Sequence, residues 1–187
     1  MPPNITIHPL TPDRWPDLEA LFGPSDPTGG CWCMWFRQRR TESEKSTKAQ
    51  NKAALKRIVD SGRPPGLITY VDGVPAGWVS LDPRERYPML IYGRVWKPLD
   101  DTPVWSIVCF VVGKDFRRQG MMSRLLQAAI DYARDSGAKT LEAYPIEPGE
   151  QLTGFDGFTG IASVFERAGF REAGRMSNGR PVVRLEV

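Results

Sequence analysis

VWSIVCFVV (104–112), running into GKDFRRQG (113–120), is the stretch that decides the fold. The first part is an almost unbroken apolar run, short and rich in β-branched and aromatic residues, which reads as a strand buried on both faces. After the polar loop, apolar residues recur at Met122, Leu125, Leu126, Ala129, Ile130 and Ala133. That spacing draws one stripe along a helix of 3.6 residues per turn. Gly137 stands where such a helix ends, and TLEAY (140–144) reads as the next strand. Strand–loop–helix–strand crossovers of this kind are nearly always parallel and right-handed.

The loop between strand and helix carries the first hint of chemistry. Arg117 and Arg118 stand just before the helix start, where the macrodipole is positive and a cation costs about 0.3–1 kcal/mol. Placing two cations beside Gly120 makes sense if an anion is held there, because a helix start offers unpaired N–H groups and glycine allows close approach. The alternative is a tight turn whose arginines are solvated or paired to surface acids. A P-loop is excluded because no Gly-Lys-Ser/Thr follows, and the G-x-G-x-x-G dinucleotide fingerprint is absent.

Working outward, ITIHPL (5–10) reads as a first strand, and Thr11-Pro12-Asp13 opens a helix with Trp15, Leu18, Leu21 and Phe22 on one face. After the loop GPSDPTGG (23–30) comes a dense aromatic patch, CWCMWFR (31–37). Thr41-x-x-Glu44 has the form of a capping box and predicts one long helix to about Asp60, apolar at Ala54, Leu55, Ile58 and Val59. Asp72-Gly73, between GLITYV (66–71) and VPAGWVSL (74–81), predicts a hairpin with a type I′ turn. A second hairpin is expected around Asn178-Gly179. The segment 83–101 completes the strand and then wanders. The glycine-rich segment 145–160, with Phe155 and Phe158, is long for a loop, and loops of that length are usually functional or mobile.

Bulk properties set the frame. A chain of 187 residues, 41% hydrophobic and 25% charged, suits a single domain with its own core, here 1–187. No apolar run approaches the ~20 residues of a spanning helix, and the N-terminus lacks the layout of a signal peptide. Three cysteines, two of them one residue apart, do not make a disulfide framework, so the expected setting is reduced and cytoplasmic. Net charge is +3, with +6 concentrated between Arg37 and Arg57. That basic segment reads either as a solvated helix face or as an attractor for an anionic partner. No nucleic-acid motif or interleaved aromatic residues accompany it, so no nucleic-acid partner is expected. Cys-x-Cys with one distant histidine, His8, does not complete a tetrahedral ligand set, so no metal is expected.

FVVGKDFRRQGMMSRLL (110–126) resembles motif A of the GNAT superfamily of N-acetyltransferases. The family's Arg/Gln-x-x-Gly-x-Gly/Ala falls on 117–122, with Met122 where Gly or Ala is usual. ASVFERAGF (162–170) resembles the family's late helix ending in Gly-Phe. The resemblance implies an α/β fold: a mixed, mostly antiparallel twisted sheet with a central parallel pair of splayed strands and helices on both faces. It implies acetyl-CoA as co-substrate. Backbone groups of Phe110, Val111 and Val112 would align the pantetheine arm and offer an oxyanion site. Arg117, Arg118, Gln119, Gly120, Met121, Met122 and Ser123 would hold the phosphates. Phe165 stands where the family often places a tyrosine acid. Tyr144 is the nearest substitute by sequence, with Cys109 as another, and Glu142, on the same strand face, is a candidate base; its alternatives are an ion pair or the mouth of a substrate pocket. Trp32, Met34, Trp35 and Phe36 read as core and rim residues where the second helix meets the sheet. Because the region borders the acceptor site in this family, Trp32 and Trp35 are alternatively candidate substrate-lining residues, as are Phe155 and Phe158.

Two functions follow. The first is direct transfer of an acetyl group to a primary amine of a small molecule or protein. The second is a non-catalytic CoA-sensing or partner-binding module, motivated by Phe165, Met122 and the basic 37–57 segment. Dimerisation is common in such folds, and no residue here marks an interface.

Overall fold

The computed structural model describes residues 2–23, 27–147 and 156–187. Strand β1 (Ile5–Pro9) leads through a 3-10 turn (Pro12–Arg14) into helix α1 (Trp15–Phe22), which buries Trp15, Leu18 and Phe22. The expected long helix is two. Helix α2 (Arg40–Ser43) is a single turn, and helix α3 (Lys48–Asp60) starts afresh. The capping box is not Thr41…Glu44 but Thr47…Gln50: Gln50 N donates to Thr47 Oγ1 at 3.3 Å and Thr47 N donates to Gln50 Oε1 at 2.8 Å. A threonine whose side chain caps Gln50 N takes an extended backbone, and Thr47 at ψ 161° stops any helix arriving from Arg40.

Strands β2 (Gly66–Val71) and β3 (Val74–Pro83) form the expected hairpin, with Asp72 at φ 49° and Gly73 at φ 80°, the positive pair a type I′ turn requires. Helix α4 (Pro88–Tyr92) follows in the region expected to wander; proline at the first helical position favours it. Strand β4 (Trp105–Val112), helix α5 (Met121–Asp135) and strand β5 (Thr140–Ala143) are the predicted crossover. Helix α6 (Ala162–Arg167) and strands β6 (Arg171–Arg175) and β7 (Pro181–Glu186) complete the chain.

The seven strands form one sheet in the order β1-β2-β3-β4-β5-β7-β6, antiparallel throughout except for β4 and β5. This is the mixed, mostly antiparallel architecture expected. On one face, α5 lays Leu125, Leu126, Ala129 and Ile130 onto a core shared with Phe165 and Phe170 of the α6 region. Met121 rather than Met122 is its fully buried first-turn residue, because Met121 stands four residues before Leu125 and shares its face. On the other face, Trp15, Phe22, Leu55 and Val59 pack with Trp32 and Trp78. Each large side chain so buried contributes roughly 1.5–3 kcal/mol. No helix among the described residues is long and apolar enough to cross a membrane.

Candidate active site

Strand β4 has two unequal edges. Along β3 it is paired from Trp105↔Pro83 to Val112↔Gly77. Along β5 it is paired only at Trp105↔Leu141, Ser106↔Glu142 and Ile107↔Ala143. From Val108 onward no strand among the described residues pairs with that second edge, so its amide and carbonyl groups face a wedge rather than a ladder. A bulge helps to build it: Ser80 opposes Cys109 and Leu81 opposes Ile107. Val108 is thus the extra residue, and Val108 and Cys109 both face the core of α1 and α3. Phe110 packs the other way, its ring 6.0 Å from Phe165. Side chains of Phe110 and Val111 hold the strand in two cores, while no described strand pairs with its β5-side edge beyond Ile107.

That edge leads into the 113–120 loop. Gly120 caps α5 in the left-handed conformation (φ 73°), and no side chain caps the helix start. A Cβ added at Gly120 would meet nothing within 4 Å, so backbone conformation rather than crowding demands glycine there. Arg118 is also left-handed at φ 62°, a strained conformation for a side chain of that size. Arg117 Nε donates to Val112 O at 3.1 Å and Gln119 Nε2 to Asp115 O at 2.9 Å, so these two side chains shape the loop from within. Arg118 makes no ion pair with the described residues. Met122 turns away from the loop: a side chain at Gly160 would meet its Cε at 2.5 Å and the Phe165 ring at 2.7 Å. Met121 anchors the turn in the core and Ser123 is exposed. Uncapped amides at a helix start beside an exposed cation suit a phosphate-bearing group, so the residues present fit the implied cofactor.

At the other end of the open edge lies a cavity of about 450 Å³. Val108 and Cys109 border it from β4, Trp35 and Phe36 from the 31–37 turn, Trp96 from the loop after α4, and Phe158 from the 3-10 turn Asp156–Thr159. Trp35, Phe36 and Trp96 stand edge to face, with centroids 4.7–5.7 Å apart, an arrangement that aromatic quadrupoles favour. Arg180, from the β6–β7 connection, spans one wall, over Trp96 at 5.4 Å and donating to Thr159 Oγ1 at 2.9 Å.

Of the expected lining residues, Trp35 and Phe158 border this cavity. Trp32 is not: it is buried between Trp15 and Phe22, with centroids at 5.8 and 5.0 Å. Its backbone is left-handed, φ 49°, which turns the ring to the core instead of the cavity. Phe155 lies outside the described residues. Trp96 and Arg180 escaped the sequence reading. For Trp96 the signal was Pro88 opening an apolar MLIY turn, which fixes where the following loop departs; Arg180 had none.

Glu142 and Tyr144 do share a face, as expected, but neither borders the cavity. Tyr144 donates its hydroxyl to Glu142 Oε1 at 2.7 Å and lies 3.0 Å from Ser106 Oγ. Arg184 holds Glu142 Oε2 at 2.7 Å, and Arg84 stands 3.5 Å from Oε1. Arg184 also grips Asp100 with two bonds of 2.8 and 2.9 Å. Glu142 is 1% exposed, so its charge is spent within this network; the ion-pair alternative is what the structure shows. Burial, then the charge of Glu142, pushes the Tyr144 phenol well above its usual range. Phe165, at the family's tyrosine position, is fully buried against Phe110 and Phe170.

Residues 24–155 match the model of the acetyltransferase (GNAT) family. The match covers more than half of the chain, which therefore belongs to that family and to the acyltransferases. No curated protein matches it in sequence. Among solved structures, a GNAT-family acetyltransferase from Listeria monocytogenes aligns with a TM-score of 0.61 at 13% identity, over 98% of this chain and 95% of its own. The PaiA N-acetyltransferase of Thermoplasma acidophilum, solved in complex with coenzyme A, aligns at 0.55 and 12% identity, over 98% and 99%. The yncA protein of Salmonella typhimurium, solved with its cofactor acetyl-CoA, aligns at 0.55 and 15%, over 97% and 93%. At these identities the likeness is one of fold.

Proposed function

We propose that this protein transfers an acetyl group from acetyl-CoA directly to a primary amine whose remaining surface is largely apolar or aromatic. One observation carries the reading. The unpaired edge of β4 runs from the aromatic cavity at Val108 and Cys109 to the uncapped start of α5, so a cofactor site and an acceptor site meet along one strand. Structural neighbours solved with coenzyme A and acetyl-CoA support the choice of co-substrate.

The amides of Gly120 to Ser123 hold the pyrophosphate, with Arg117 and Arg118 adding charge-assisted contacts. Backbone groups of Phe110 to Val112 align the pantetheine arm and stabilise the charge that develops on the carbonyl oxygen. Trp35, Trp96 and Phe158 receive the apolar body of the acceptor and exclude water. Acetyl-CoA supplies an activated acyl group on a thiol of pKa near ~8.5, which leaves without a strong acid. Glu142 and Tyr144 are positioning residues in this scheme: their network ties β5 and β7 to Asp100, in the loop that presents Trp96.

Calorimetric titration with acetyl-CoA, followed by an amine screen, tests this. Micromolar binding, about −8 kcal/mol, is expected for the wild type and is lost in Gly120→Glu. Arylalkyl amines should release thiol faster than polycationic amines of similar size. A folded wild-type protein that binds no acetyl-CoA sinks the reading.

A further inference from the structure

We propose that Cys33 and Cys109 are a reversible oxidation site, forming a disulfide that narrows the acceptor cavity on the β4 side. All three cysteines are free, and all three border the cavity. The sulfurs of Cys33 and Cys109 lie 3.4 Å apart, although 76 residues separate them in sequence. Trp78 Nε1 donates to Cys33 Sγ at 3.2 Å, which fixes that sulfur's position on the sheet.

The backbone presents Cys33 at a cost. Trp32 and Cys33 are consecutive left-handed residues, φ 49° and 53°, a conformation that side-chain-bearing residues avoid and that persists only where the surroundings enforce it. Thr28 Oγ1 accepts the Trp32 amide at 3.1 Å, and Cys31 O accepts the Met34 amide at 2.9 Å. These bonds hold the turn and aim Cys33 at β4. The bulge at Val108 places Cys109 on the same face. Cys31 is placed differently: its sulfur accepts the Trp35 amide at 3.3 Å and takes no part in the pair.

The reaction needs a peroxide-class oxidant small enough to enter the cavity. Cys33 Sγ attacks one peroxide oxygen, the O–O bond breaks, and a sulfenic acid and one water form. Cys109 Sγ then attacks the sulfenic sulfur, the S–S bond forms, the S–O bond breaks and a second water leaves. Two thiols lose two electrons and the peroxide gains them. Closing from 3.4 Å to the ~2.05 Å of a disulfide asks the 31–33 turn and the strand to approach by little more than an ångström. A thiol reductant reverses it by exchange.

The test is intact-mass and peptide mapping of the full-length protein after hydrogen peroxide. The expected result is a loss of about 2 Da, a cross-link between Cys33 and Cys109, and recovery with dithiothreitol. Cys31→Ser keeps the cross-link and Cys109→Ser abolishes it. Cross-links through Cys31, or oxygen addition without any cross-link, overturn the proposal; because the wild type is mapped directly, a variant that misfolds does not blur the outcome. The effect on turnover rests on the proposed function: oxidised protein should keep its affinity for acetyl-CoA and lose amine acetylation. A cross-link formed in a protein that binds no acetyl-CoA would overturn the function and leave this site standing.

Discussion

Two clusters of charge flank β4, and they are built in opposite ways. Around Glu142, the carboxylate and the Tyr144 phenol are buried and bonded to each other. Half-buried Arg184 bonds the second carboxylate oxygen at 2.7 Å, and buried Arg84 stands 3.5 Å from the first as an ion pair. Around Arg118, the cation is exposed, the helix start is uncapped and the backbone is left-handed twice within three residues. A buried charge must be matched inside the protein, because leaving it unpaired is too costly. A loop that keeps amides and a cation unmatched is stable only in water or against a ligand. Carboxylate and guanidinium are thus structural in the first cluster, and the second leaves a helix start without a side-chain cap beside an exposed cation.

The hardest blow to that contrast is Glu142→Gln. It leaves Arg84 and Arg184 facing a neutral amide, and an expected loss of about 3–5 kcal/mol follows from breaking a buried pair, read by urea unfolding. A variant of unchanged stability that has lost turnover would make Glu142 catalytic and end the distinction.

Raising the pH should come next. Burial holds the Tyr144 and Tyr87 phenols above their usual range, with the charge of Glu142 adding to it at Tyr144. The Cys109 thiol is raised by its bond to Cys33 and by burial, and burial pushes Cys31 up to about 12. Each folded-state pKa lies above the unfolded one, so each group contributes stability below the unfolded value that is lost as pH rises toward the folded one. The window opens near ~8.5 for thiols and ~10 for phenols. The melting temperature should fall progressively above about pH 9 and recover on return to neutral pH; constancy to pH 11 would show these groups to be wet.

Phe165→Tyr probes the missing acid. The ring abuts Gly160 and Met122 in the α5-side core, so a hydroxyl there has no partner and costs about 1–3 kcal/mol without raising turnover. A faster enzyme would show that the ring reaches the reacting sulfur. The smallest effect on stability is Arg118→Ala, expected within about 0.5 kcal/mol. Its acetyl-CoA affinity should nonetheless drop about tenfold, the worth of one charge-assisted bond. Unchanged affinity would sharpen the loop's role to backbone alone.

Periodicity carried the reading of the sheet and its α5 face. A buried strand, an amphipathic stripe and an Asp-Gly turn are local signals, and Trp105–Val112, Leu125–Ala133 and Asp72-Gly73 obey them. The break between α2 and α3 was less legible, because Thr41…Glu44 and Thr47…Gln50 both have the form of a cap. The structure realises the second, with Thr47 and Gln50 capping each other. The site divides the same way. Sequence placed the α5 loop, where glycine and two arginines stand together in the chain.

The cavity is a different matter. Trp35, Trp96, Phe158 and Arg180 come from four separate segments, and no spacing links them. Whether a tryptophan lines a pocket or fills a core is settled by one left-handed residue at Trp32 and by the bulge at Val108. The chain by itself determined strands, the α5 stripe and the place of the glycine-and-arginine loop before α5, since those depend on neighbours within a few residues. The folded protein alone decided which charges are spent, which aromatic rings face the cavity and which two thiols meet, because each depends on contacts between distant segments.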